Sequence, residues 1–127
     1  MRIFKNTWFQ KFARKEQISD AALCEAVARV EKGLIDADLG GGVLKQRVAR
    51  PGQGKSGGYR TIILYRQEQR AFFVFGFAKN ERENIDREEE THFKKMAKDV
   101  LALSDTQIAE MVTRGYFSEV SDDGEDI

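Results

Sequence analysis

The chain has 127 residues, 41% of them hydrophobic and 33% charged, with nine Phe, one Cys and one His. That is enough chain for one domain with a sizeable core and too apolar for intrinsic disorder. A single Cys and a single His exclude a disulfide framework and a Cys/His zinc site. No apolar run approaches the ~18 residues of a membrane span, and MRIFKNTWFQKF lacks the apolar centre of a secretory signal. A reducing, cytoplasmic setting is the expectation.

The formal net charge is zero, but it is unevenly placed. Residues 1–82 hold 16 Lys+Arg against 8 Asp+Glu, a net +8, and residues 83–127 hold 5 against 13, a net −8. Within 43–82 the count is 9 against 2, a net +7. A compact basic segment in a neutral chain is the footprint of a polyanion-binding surface. The competing reading is a set of ordinary solvated strand faces.

In chain order, residues 1–5 read as a short strand. Thr7 is placed to cap a first helix with Trp8, Phe9 and Phe12 on its apolar side, and Ser19 to cap a second. Leu23, Ala26, Val27 and Val30 recur at helical spacing, with Gly33 as the stop. Cys24 falls inside this helix and reads as a small packed hydrophobe. Gly40-Gly41-Gly42 marks a turn. VLKQRVAR (43–50) reads as a strand, ended by Pro51 and followed by a Gly-rich loop. YRTIILYR (59–66) and RAFFVFGFAK (70–79) are two more strands joined by a tight turn, the second apolar on both faces.

Asp86 is placed to cap a third helix whose inner stripe includes Phe93, Ala97 and Val100. Ser104-Asp105-Thr106-Gln107 fits a capping box for a fourth helix that stops at Gly115. Residues 122–127 are acidic and read as a frayed, solubilising tail, the favoured reading; the alternative is that residues after Gly115 fold back and weakly occlude the basic surface. The order β-α-α-β-β-β-α-α implies an α+β fold, with helices against one face of an antiparallel sheet.

Residues 49–56 end in Gly-Lys-Ser and imitate a phosphate loop. A working loop of that kind runs straight into a helix, and here Gly57-Gly58 and a strand follow, so nucleotide triphosphate binding is rejected. Lys45 and Arg47 stand two apart on a strand and share a face. Arg60 opens the neighbouring strand, so the three form a cluster suited to a scissile phosphate if the strands pair across the intervening loop. A solvated sheet face is the equal alternative. Glu81 is the one acid in Lys79-Asn80-Glu81-Arg82, placed to accept a proton or orient an arginine. His92 reads as a surface residue, since nothing in the pattern pairs it with a nucleophile.

The stretch GKSGGYRTIILYRQEQRAFFVFGFAKNERENI, followed by an acidic helix start, resembles the RelE/HigB family of bacterial toxins, in particular its HigB-like branch. The shared features are the basic Gly-rich loop, the Gly-Tyr-Arg strand opening and Lys-Asn-Glu after the last strand. The resemblance implies a RelE-like toxin domain over residues 1–101, with 102–127 as a C-terminal helical extension and acidic tail. It implies a toxin of a type II toxin–antitoxin system that cuts messenger RNA on the ribosome without a metal or other cofactor. By position, the family's cations fall on Lys45, Arg47 and Arg60. An arginine expected after the last strand is Asn80 here, and a tyrosine expected at the next helix is Asp86. Lys55, Lys79, Glu81 and Arg82 are the replacements nearest in sequence.

The resulting assignment has Lys45, Arg47, Arg60, Lys79 and Glu81 as catalytic, and Arg50, Lys55, Arg66 and Arg82 as RNA-binding. Lys45 is the base if neighbouring cations depress its pKa, and a further charge clamp otherwise. The expected partners are a cognate antitoxin of the helix-turn-helix DNA-binding kind, the ribosome and messenger RNA, with no membrane. Two alternatives stand beside the nuclease: a non-enzymatic gyrase inhibitor of the ParE-like type, and an inactive RNA-binding module.

Overall fold

A computed structural model describes residues 1–50 and 57–121. The expected Lys55 contact and the acidic residues 122–127 lie outside the described residues. Strand β1 (Arg2–Asn6) runs into helix α1 (Thr7–Glu16), followed by α2 (Asp20–Glu31). Four strands come next: β2 (Ala37–Gly40), β3 (Val43–Val48), β4 (Tyr59–Arg66) and β5 (Arg70–Ala78). Helices α3 (Arg87–Val100) and α4 (Asp105–Thr113) lead to β6 (Phe117–Glu119).

Local chemistry sets most of these boundaries. Asn6, not Thr7, caps α1: its Oδ1 accepts from the Phe9 amide at 2.8 Å while its Nδ2 donates to the Val74 carbonyl at 3.3 Å. One side chain thus closes β1, opens α1 and ties both to β5. Ser19 caps α2, Asp86 caps α3 and Ser104 closes a capping box with Gln107, as the sequence predicts, and Asp86 closes a further box with Glu89. The three glycines 40–42 all have positive φ, which lets β2 turn tightly onto β3.

The six strands form one sheet in the order β2-β3-β4-β5-β1-β6. Two strands go beyond the predicted order. β2, reading ADLG, carries no β-branched residue, and β6 is only three residues long, so neither has a strand signature. The sheet is also mixed rather than antiparallel, because β1 lies parallel to β5. A bulge opposite Ile62 and Ile63 inserts Val74 as an extra residue in β5.

The helices do not share one face. Phe9 and Ala13 of α1 and Leu23, Val27 and Val30 of α2 pack with Leu44, Val48, Tyr59, Ile63 and Phe73. Phe93 and Ala97 of α3 and Ile108 of α4 pack with Val43, Ile62, Leu64 and Phe72 on the other side. The physical reason lies in β4 and β5. Ile62 and Ile63 face opposite ways, as do Phe72 and Phe73, and each is fully buried. A sheet apolar on both sides needs a helical layer on each.

Residues 116–121 do not fold over the basic surface. β6 pairs with β1 at the far edge of the sheet, with β4, β5 and β1 between it and β3. Phe117 and Val120 are buried, and Glu119 is paired with Arg2 at 3.0 Å. Burying an aromatic ring and completing a sheet edge outweighs the attraction between exposed charges, which solvent screens. Phe117→Ala is therefore expected to cost about 3–5 kcal/mol, the range for a buried Phe truncated in a core. Urea denaturation checks it: an unchanged midpoint would place Phe117 outside the core.

Candidate functional site

The site is built on the end of the sheet where β3 and β4 leave the cover of α3. Side-chain alternation sends Leu44, Gln46 and Val48 toward α2 and leaves Lys45 and Arg47 on the opposite face. Gln46 locks this orientation. It is fully buried, its Nε2 donates to the Ala26 and Leu34 carbonyls at 3.2 and 3.0 Å, and its Oε1 accepts from the Asp36 amide at 3.0 Å. A slip of one residue would bury Lys45 or Arg47 in its place.

Arg47 is the direct cross-strand partner of Arg60, and Lys45 that of Ile62. Lys45, Arg47 and Arg60 therefore stand on one face, as the strand pairing requires. Two like charges placed opposite each other repel, and an anion between them removes that cost. Arg60 has no hydrogen-bond or ion-pair partner among the described residues. Gly58 makes the approach possible: a Cβ there would lie 2.7 Å from the Val48 carbonyl oxygen and 3.1 Å from Arg47 Cδ. The Lys45 ammonium donates to Asn84 Oδ1 at 2.9 Å. Its partner is thus a neutral amide, and the charge is positioned without being neutralised.

Arg82 lies over the rings of Phe75 and Phe77, at 5.8 and 5.5 Å from their centroids, and Phe77 pairs across the strands with Arg60. It is already committed. It donates to the Asn84 carbonyl at 2.8 Å and forms a two-pronged ion pair with Glu89. The hydrogen bond from Arg82 holds the Glu89 carboxyl below its ordinary pKa, and that from Glu89 raises the pKa of Arg82. The carboxylate that orients an arginine here is Glu89, not Glu81. Arg82 in turn fixes the turn that presents Asn84 to Lys45.

The remaining predicted residues scatter. Lys79 is exposed just past β5, and its amide donates to the Gly58 carbonyl at 3.4 Å, which puts it at the same end of the sheet. Glu81 is exposed in the following turn and makes no ion pair with the cluster among the described residues. Arg50 stacks over Tyr59 at 5.6 Å, and Tyr59 belongs to the core beneath α1 and α2, so Arg50 lies on the other side of the sheet. Burial, followed by its hydrogen bond to Glu16, raises the pKa of the Tyr59 phenol. Arg66 is six residues along β4 from Arg60, about 20 Å in extended chain, and donates to the Leu101 carbonyl at 3.1 Å. It caps α3 rather than joining the cluster. His92 is exposed on α3 beside Phe93.

Two contributors escaped the sequence reading, Asn84 and Glu89. Asn84 sits only two residues past the polar run, but nothing local signals that it reaches β3. Asp86 and Asn80, at the positions where the resemblance expected a tyrosine and an arginine, are a helix cap and an exposed turn residue. No cluster of metal-ligating residues occurs among the described residues. No helix is long and apolar enough to cross a membrane.

A sequence model of the family described as "RelE toxin of RelE / RelB toxin-antitoxin system" matches residues 1–120. The match takes in α4 and β6 as well as the strands that carry the cations.

Glu89→Gln keeps the capping geometry, since either side chain can close a capping box, and removes only the charge facing Arg82. The folded-state pKa of Glu89 is lowered, so its contribution is full above the ordinary value of 4.5 and is lost as pH falls through the lowered value. The wild type should melt at a higher temperature than Glu89→Gln at neutral pH, by the small margin that solvent screening leaves to an exposed pair. That gap should close in acid. Thermal melts at pH 7 and pH 3 test it: a gap that persists in acid would assign the effect to something other than the charge.

Proposed function

The chain belongs to the RelE toxin family and is a toxin of a toxin–antitoxin system, and from that premise we propose that it is an endoribonuclease that cuts messenger RNA on the ribosome. The observation that carries this reading is the Arg47–Arg60 cross-strand pair with Lys45 beside it on an otherwise apolar sheet face. Cleavage of RNA without a metal needs cations on the phosphate, a base for the 2′-OH and an acid for the leaving 5′-oxygen. Arg60 and Arg47 take the phosphate. Lys45, held by Asn84, faces the 2′-OH and takes up the proton that the 2′-oxygen loses as it attacks the phosphorus. Lys79, the exposed cation at the same end, protonates the leaving oxygen. The products are a 2′,3′-cyclic phosphate and a 5′-OH.

Family membership implies an antitoxin partner. A helix-turn-helix DNA-binding antitoxin and a place in the HigB-like branch complete the proposal, supported by the Gly-Tyr-Arg and Lys-Asn-Glu motifs. The gyrase-inhibitor reading has no observation of its own in its favour.

Arg60→Ala should fold normally and lose toxicity, with about 2–4 kcal/mol less transition-state stabilisation, the scale of one such contact. Primer extension on ribosome-bound messenger RNA reads the loss directly, and full cleavage by a folded Arg60→Ala protein would remove Arg60 from the site. Intact RNA with broken DNA in cells expressing the wild type would favour gyrase inhibition instead. Lys45→Arg separates base from clamp, because arginine keeps the charge but does not deprotonate. As base, Lys45 should lose about 10²–10⁴ in rate when made arginine. Retention of most of the rate would leave Lys45 an electrostatic clamp only.

A further inference from the structure

A second cationic recess lies on the other side of β3. β2 pairs with β3 only at Val43, Leu44 and Lys45, so from Gln46 to Val48 the outer edge of β3 has no strand neighbour among the described residues. At this open edge a cleft of about 630 Å³ separates the outer stripe of α2 from the end of β3. Its charged walls are Arg29, Lys32, Arg47 and Arg50 against one carboxylate, Glu25. No ion pair joins Arg29, Lys32 or Arg50 to Glu25 among the described residues.

Arg29 is aimed and incompletely satisfied. One Nη donates to the Arg47 carbonyl, which pins the guanidinium to the strand edge, while its Nε is buried with no hydrogen-bond partner. An unpartnered buried donor costs about 1–3 kcal/mol and is a standing invitation to an acceptor. Arg47 belongs both to this wall and to the pair with Arg60, so the recess and the candidate site meet across one strand.

We propose that this recess binds a further phosphate of the same RNA strand, next along the chain from the scissile one, through Arg29 and Lys32. The inference rests on the RNA-cleaving reading of the Arg47–Arg60 site. A strand whose phosphate lies at Arg60 and which continues past the open edge of β3 enters a recess lined by donors, and a guanidinium fork matches phosphate oxygens.

The test uses an oligoribonucleotide methylated at every 2′-OH, which binds without being cut, with affinity measured across a salt series. Lys32→Ala removes an exposed side chain at the end of α2 and leaves the backbone cap in place. It should weaken binding about two- to fivefold at low salt, the range for a partly exposed charge contact. It should also flatten the slope of log affinity against log salt by about 0.7, the value for one phosphate on a single strand. Lys32→Glu should weaken it further. If Arg60→Ala weakens binding while both Lys32 variants keep the wild-type affinity and slope, the second subsite is wrong and the nuclease reading stands. If Arg60→Ala leaves binding unchanged as well, the RNA reading itself falls. Lys32→Glu with normal RNA binding but lost affinity for a polyglutamate peptide would assign the recess to an acidic protein segment and overturn the proposal.

Discussion

The structure depends on one constraint: the β4–β5 hairpin is apolar on both faces. Ile62, Ile63, Leu64, Phe72 and Phe73 are all fully buried, and they point alternately to opposite sides. Such a hairpin is unstable in water until both faces are covered, which forces the four helices into two pairs on opposite sides of the sheet. The parallel addition of β1 beside β5 has the same origin, since it completes a central strand that would otherwise be an edge.

The candidate face is what remains where that cover stops. Strand alternation is strict, so at the end of β4 one residue, Tyr59, closes the core beneath α1 and α2 while the next, Arg60, points the other way. On β3 the same step separates buried Gln46 from Lys45 and Arg47. The core therefore sets the direction of the cations. The three hydrogen bonds of Gln46 matter to the site although Gln46 never touches it, because they fix the register of β3 against α2.

Charge is handled by segregation. The net charge of zero comes from a positive first part and a negative last part, and the acidic first turn of α3 does not simply neutralise the basic sheet. Glu89 is spent on Arg82, and the Arg82 guanidinium rests on Phe75 and Phe77 as a scaffold for the turn bearing Asn84. Arg60 is left without a partner among the described residues. One ion pair thus stabilises the frame while Arg60 keeps its field for a ligand.

What the sequence determined by itself was local. The α+β class, the two helical pairs, the caps at Asp86 and Ser104, the buried character of β5 and the shared face of Lys45 and Arg47 follow from periodicity of 2 or 3.6 and from cap chemistry within four residues, while Arg60 joins them through the β3–β4 pairing. The Gly-Tyr-Arg and Lys-Asn-Glu signals were enough to indicate the family before any coordinates. Only the tertiary structure decided what depends on residues far apart in the chain. β2 and β6 are strands because a neighbour supplies their hydrogen bonds, not because ADLG or FSE prefers extended backbone. Residues 117–119 joined the sheet because Phe117 found a pocket beside Phe4 and Phe72, which no charge count reveals. Asn84 reached Lys45, and Arg66 was carried to α3, through packing between segments 39 and 35 residues apart. Such pairings follow from how the two hydrophobic layers close on the sheet, and that closure is a property of the whole chain.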